Sequence, residues 1–125
     1  MKRYMHLAMA LSLVMLASFA SAAHADEVAL VTGVHWTKST DDQKKAYLIG
    51  IANMAQVELA YQGSTPAADS QSVIPRMSKG LKGQTLDSVR EAVNRFYAAN
   101  PAKLDQPVLE TIWFELVVPG LQKNK

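Results

Sequence analysis

The chain has 125 residues with 13 basic and 11 acidic side chains and no cysteine, which excludes disulfides, a thiol nucleophile and a lipid-modified cysteine. Its formal net charge of +2 is carried by Lys2 and Arg3 at the extreme N-terminus. It is therefore no argument for a nucleic acid or an anionic membrane as partner.

Those two residues open a segment with the pattern of a cleaved export signal. Lys2-Arg3 form a positive start, Leu7 to Phe19 an uncharged apolar run, and Ala23-His24-Ala25 a small-x-small cleavage site. The apolar run is short of the roughly 20 residues needed to span a bilayer, so residues 1–25 are expected to be a signal peptide and not a stable membrane insertion. The mature protein would start at Asp26 and work in the periplasm. Without Lys2 and Arg3 the 13 basic residues fall to 11, equal to the 11 acidic ones. Residues 26–125 fit one domain, large enough to bury a core without covalent staples. Lys2-Arg3 is not a twin-arginine pair, so folding after export is expected and no preloaded cofactor.

Asp26 to Trp36 mixes β-branched residues with Gly33 and is compatible with a short helix, an extended lead-in or a brief strand. Thr40 with Gln43 has capping-box spacing, and Asp41-Asp42 suit a first turn, so a long helix is predicted from about Asp41 to Tyr61. Gly63-Ser64-Thr65-Pro66 stops it, and the stretch to Gln71 has room for one short helix. Pro75 is expected to interrupt whatever Val73-Ile74 begins. After the loop Gly80-Leu81-Lys82-Gly83, Thr85 caps a helix whose stripe is Leu86, Val89, Val93, Phe96 and Tyr97 and which ends near Asn100. Asp105 is placed to cap a last helix with Pro107 in its first turn, ended by Pro119-Gly120, with 121–125 a disordered tail. Leu109, Ile112, Trp113, Phe114, Leu116 and Val117 point in almost every direction around that helix. Such a helix is central to a bundle or has one face covered by a second chain. The fold class is all-α, a bundle of about four helices.

On the first long helix, Tyr47, Ile51, Met54 and Tyr61 fall on one stripe with Glu58 in its middle, which aims Glu58 at the core. A carboxylate there is paired with a cation such as Arg76, Arg90 or Arg95, reaches water at the rim, or is held neutral as a pH-responsive or partner-recognising acid. His35, beside Trp36, is the only histidine left after cleavage. It cannot build a zinc site alone, and no nucleophile motif accompanies it. Glu110 and Glu115 lie on different helix faces and form no ready pair for glycoside hydrolysis. The Gly80-to-Gly83 loop resembles an anion cradle only superficially and reads as a surface turn with solvated lysines. Trp36, Tyr61, Trp113 and Phe114 are of the types that fill cores and also anchor interfaces. Trp113 and Phe114 are adjacent and face different ways, so at least one should look away from the main core.

The segments Ala46-Tyr47-Leu48-Ile49-Gly50-Ile51-Ala52-Asn53, Gly83-Gln84-Thr85-Leu86-Asp87-Ser88-Val89 and Phe96 to Pro107 resemble, in the same order, the Rap/Tai-type family. These are small exported helical proteins, many of them immunity proteins against type VI secretion effectors. The resemblance implies an all-helical periplasmic domain, often dimeric, that neutralises a toxic enzyme by occluding its site. This chain departs from the family in lacking its paired cysteines. A looser resemblance is to acid-stress chaperones. The expectation is thus a non-enzymatic periplasmic protein without cofactor or metal. It would bind a protein, such as a secreted toxin or effector enzyme, in an immunity- or inhibitor-like way, or itself as a homodimer. The alternative is a stress-responsive chaperone. Glu58, Trp113, Phe114, Tyr61 and Trp36 are the candidate partner-binding or pH-responsive residues.

Overall fold

The computed structural model describes residues 29–63 and 72–124. The expected signal peptide, and the stretch up to Gln71 where a short helix had room, lie outside the described residues. The described residues are all-α. Helix α1 spans Gly33–Lys38, α2 Asp41–Gln62, α3 Val73–Gly80 and α4 Leu86–Ala99. A 3₁₀ turn at Pro101–Lys103 leads to a last helical rod made of α5 (Val108–Ile112), a π turn (Trp113–Val117) and α6 (Val118–Lys123). The undecided lead-in is an extended stretch followed by α1, with one isolated antiparallel bridge between Thr32 and Pro107.

Local chemistry accounts for the starts of the two longest helices. At α2, Thr40 Oγ1 accepts from Gln43 N–H at 3.2 Å and Gln43 Oε1 accepts from Thr40 N–H at 2.9 Å, the reciprocal capping expected. Thr85 and Ser88 repeat the exchange at α4, at 3.0 and 2.9 Å. Gly63, at φ +62, ends α2 in a backbone region that favours glycine.

Three proline expectations are corrected. Pro75 does not interrupt a helix but sits in the first turn of α3, where its missing N–H has no intrahelical acceptor to lose. Pro107 lies outside the last helix as its N-cap residue, so Asp105 does not cap it. Pro119-Gly120 does not end the rod, and Leu121–Lys123, expected in a disordered tail, are helical. The π turn explains the last case. An interior proline collides with the carbonyl four residues back. Here the turn before Pro119 is widened, so that Val118 N–H donates to Trp113 C=O, five residues back.

The core comprises Trp36, Leu48, Met77, Val89, Val93, Tyr97, Val108, Ile112 and Val117. The last rod is central to it through Val108, Ile112 and Val117. Two close backbone approaches set the packing. A Cβ on Gly33 would run into the Tyr97 ring, and one on Gly120 would collide with the Gly80 carbonyl oxygen, so α6 crosses α3 backbone to backbone. A buried polar cluster among the described residues is bonded throughout: Tyr97 O–H donates to the Gln106 carbonyl at 2.8 Å and lies 3.0 Å from Thr111 Oγ1, to which Gln106 Nε2 donates at 3.1 Å.

Candidate functional site

The last rod carries the exposed aromatic that the sequence left unassigned between two neighbours. Trp113 is half-buried against the core, and the Arg76 guanidinium lies over its ring at 5.4 Å from the centroid, a cation–π arrangement. Phe114 is 57% exposed. It stands on the π turn, beside Glu115 and one turn from Glu110, both also exposed. An apolar ring, with two carboxylates close to it in sequence, is thus presented to solvent on a rod whose other exposed large hydrophobic is Leu109, 42% exposed. The π turn matters here, because its wider step moves the direction of Phe114 away from that of a regular helix.

Trp36 is a core anchor and no partner-facing residue. It is 2% exposed, its indole N–H donates to Asn94 Oδ1 at 2.8 Å, and its ring meets Tyr47 edge-on at 6.2 Å. Burial raises the Tyr47 hydroxyl pKa, with a smaller contribution from Tyr97, and burial likewise raises that of Tyr97 against the lowering effect of its hydrogen bond to Thr111. His35 is exposed and serves α1: its Nδ1 lies 3.1 Å from Thr32 N and 3.0 Å from Thr32 Oγ1. It acts in capping.

The expected core stripe of α2 is corrected. Leu48 is the one buried residue of the helix, with Ile51 and Ala55 half-buried beside it. Of the expected stripe, Tyr47 and Ile51 do pack against the core and Glu58 is half-buried on the same side, whereas Met54 and Tyr61 are 56% and 87% exposed. Glu58 is half-buried at the rim and accepts from Gln62 Nε2 at 2.7 Å. The cations proposed for it are engaged elsewhere or exposed. Arg90 pairs with Glu91 at 2.9 Å and with Asp87 at 3.4 Å, Arg76 covers Trp113, and Arg95 is exposed. The physical reason is that α2 is apolar on nearly all sides, so periodicity does not say which side packs.

Between α2, α3 and α4 runs an open groove of about 330 Å³, walled by Leu48, Ile51, Ala55, Met77, Leu81 and Leu86 among others, with no ionisable side chain among the described residues that line it. The Gly80-to-Gly83 loop keeps Lys79 and Lys82 exposed, as a surface turn should, while Gly80 itself is buried under Val117 and Gly120. Among the described residues no group of three or more His, Asp or Glu side chains is placed to hold a metal ion, and no helix is long and apolar enough to cross a membrane. The sequence reading missed the solvent-facing side of α2. Its signal was available in the run from Ala46 to Gln62, in which Glu58 is the single charged residue.

Comparison with protein-family models, curated proteins and solved structures finds no match to this chain.

Proposed function

We infer that this chain is an exported, non-enzymatic protein that acts by binding another protein, in the manner of an immunity protein or inhibitor. The observation that carries the reading is Phe114. A large aromatic side chain on the helix that contributes Val108, Ile112 and Val117 to the core, 57% exposed and near the exposed carboxylates of Glu110 and Glu115 in sequence, has the make-up of an interface anchor inside a polar rim. The two carboxylates favour a partner with a basic border around an apolar pocket, as at the mouth of an enzyme cleft that handles anionic substrates. Trp113, tied down by Arg76 beneath the same turn, holds the backbone that presents Phe114.

The test is affinity capture from envelope extract with the wild-type chain and with Phe114→Glu in parallel. The expected result is one stoichiometric enzyme retained by the wild type, inhibited by it in a purified assay, and lost with Phe114→Glu. Equal retention by both, or a scatter of unfolded clients in place of one partner, overturns the reading; the latter result is that of a chaperone.

A further inference from the structure

The last rod contains one residue more than its packing uses. Its core contacts fall four residues apart from Val108 to Ile112 and again from Val117 to Leu121, which is half-buried against the same core. Between Ile112 and Val117 the interval is five. In a regular helix such an interval leaves two side chains about 140° apart around the axis, yet Ile112 and Val117 are 1% and 0% exposed and belong to one core. The π turn absorbs the surplus, with Val118 N–H reaching back to Trp113 C=O.

Packing on both sides holds that register. Upstream, Val108 N–H is bonded to Val31 C=O and Thr111 Oγ1 to the Tyr97 hydroxyl. Downstream, Val117 and Gly120 both lie against the backbone of Gly80. Sliding one half by a residue to restore a regular helix would turn Val117 about 100° out of the core and lift Gly120 off α3. Pro119 is therefore not what makes the turn. It has another effect. A helical carbonyl receives the N–H four residues on, or five in a π turn. For Phe114 C=O the first of these is Val118, whose N–H is given to Trp113, and the second is Pro119, which has none. The helix thus supplies this carbonyl with no donor, at the residue that also carries the exposed ring.

We propose that Phe114 is recognised through two groups, its ring and its own carbonyl oxygen, and that Pro119 is the positioning residue that keeps the oxygen open. With Phe114 read as an interface anchor, on which this rests, the partner carries a hydrogen-bond donor at the edge of its apolar pocket. A cationic N–H of arginine or lysine fits best, since Glu110 and Glu115 favour positive charge there. An orphaned helix carbonyl is satisfied by water or by a ligand, so the partner replaces a water and breaks no helix bond. Inside a regular helix every carbonyl is already taken. A π turn, a recurrent feature of functional sites, followed by a proline offers one in the middle of a rod.

Pro119→Ala supplies the missing N–H. Because packing keeps the turn, the variant folds, as circular dichroism checks, and the new N–H at position 119 closes on Phe114 C=O. NMR couplings across hydrogen bonds show Val118 paired with Trp113 in both proteins, and position 119 paired with Phe114 in the variant. The enzyme retained by the wild type then binds Pro119→Ala about three- to tenfold more weakly, whereas Phe114→Glu loses it altogether. Failure of Pro119→Ala to fold, Val118 paired with Phe114 in the wild type, or position 119 paired with Glu115 overturns the fixed register and the proposal with it. Equal binding by the wild type and Pro119→Ala, with binding lost in Phe114→Glu, overturns the open carbonyl and leaves the Phe114 anchor standing. Equal binding by all three, or no retained enzyme, overturns both.

Discussion

The same substitution, glycine to alanine, should have opposite effects at two helical positions of this chain. In a helix interior the exchange gains about 1 kcal/mol of backbone propensity where space permits. At Gly50 space does permit, because no atom of the described residues lies within 4 Å of the new Cβ. Gly50→Ala should therefore stabilise the protein by up to about 1 kcal/mol. At Gly120 the new Cβ would land on the carbonyl oxygen of Gly80. That neighbour is backbone, held in α3, and cannot swing aside as a side-chain tip would. Overpacking of this kind costs about 1–3 kcal/mol against the propensity gain of about 1 kcal/mol, leaving a net loss of up to about 2 kcal/mol. For a domain of this size each kcal/mol corresponds to about 4–8 °C in midpoint. Thermal and urea unfolding of the two variants beside the wild type, with unchanged m-values, measures the difference. If Gly120→Ala unfolds at or above the wild-type midpoint, the backbone-to-backbone crossing of α3 and α6 is wrong.

Tyr97→Phe should destabilise by about 1–2 kcal/mol and no more, because Gln106 C=O keeps the Gly33 N–H at 3.2 Å and Thr111 Oγ1 keeps Gln106 Nε2, so no atom is orphaned; a loss above about 4 kcal/mol in urea titration would show the cluster to be organised otherwise. The hydroxyl pKa values of Tyr47 and Tyr97 are raised by burial. Between the unfolded value near 10 and the raised folded value the folded state binds more protons, so their stabilisation is complete below pH of about 10 and is lost as pH rises through the folded pKa. Tyrosinate absorbance should rise later in the folded protein than in urea, and superimposable titration curves would contradict this. Phe114→Ala, at an exposed site, should change stability by less than about 1 kcal/mol while abolishing partner capture; a large drop in melting temperature would place Phe114 in the core.

What could be read from the sequence was what neighbouring residues decide together. The Thr40/Gln43 exchange and the Thr85 cap act over three residues, and α2 and α4 begin where those residues said. Proline rules failed where tertiary packing intervened. Pro119 stays inside a helix because the π turn opens the backbone for it and Gly120 docks on Gly80. The direction of α2 was illegible for a different reason, since a helix apolar on nearly every side assigns no preferred angle. Trp36 could not be placed because its hydrogen-bond partner, Asn94, is remote in the chain. Adjacent Trp113 and Phe114 did say that one of them turns outward. Which one depended on the π turn, and no periodicity of a regular helix contains it.

The clasp between the start and the end of the domain bears on how it folds. Val108 N–H donates to Val31 C=O at 2.8 Å, Val34 N–H to Leu104 C=O at 3.0 Å, and Gly33 rests on Tyr97. Helix α1 is thus seated by the far half of the chain. Such distant pairings close large loops before they return any energy, which slows folding relative to a bundle of sequential neighbours. A chain emerging residue by residue cannot seat α1 until the last third has appeared, so this helix is the last of the early elements to find its place.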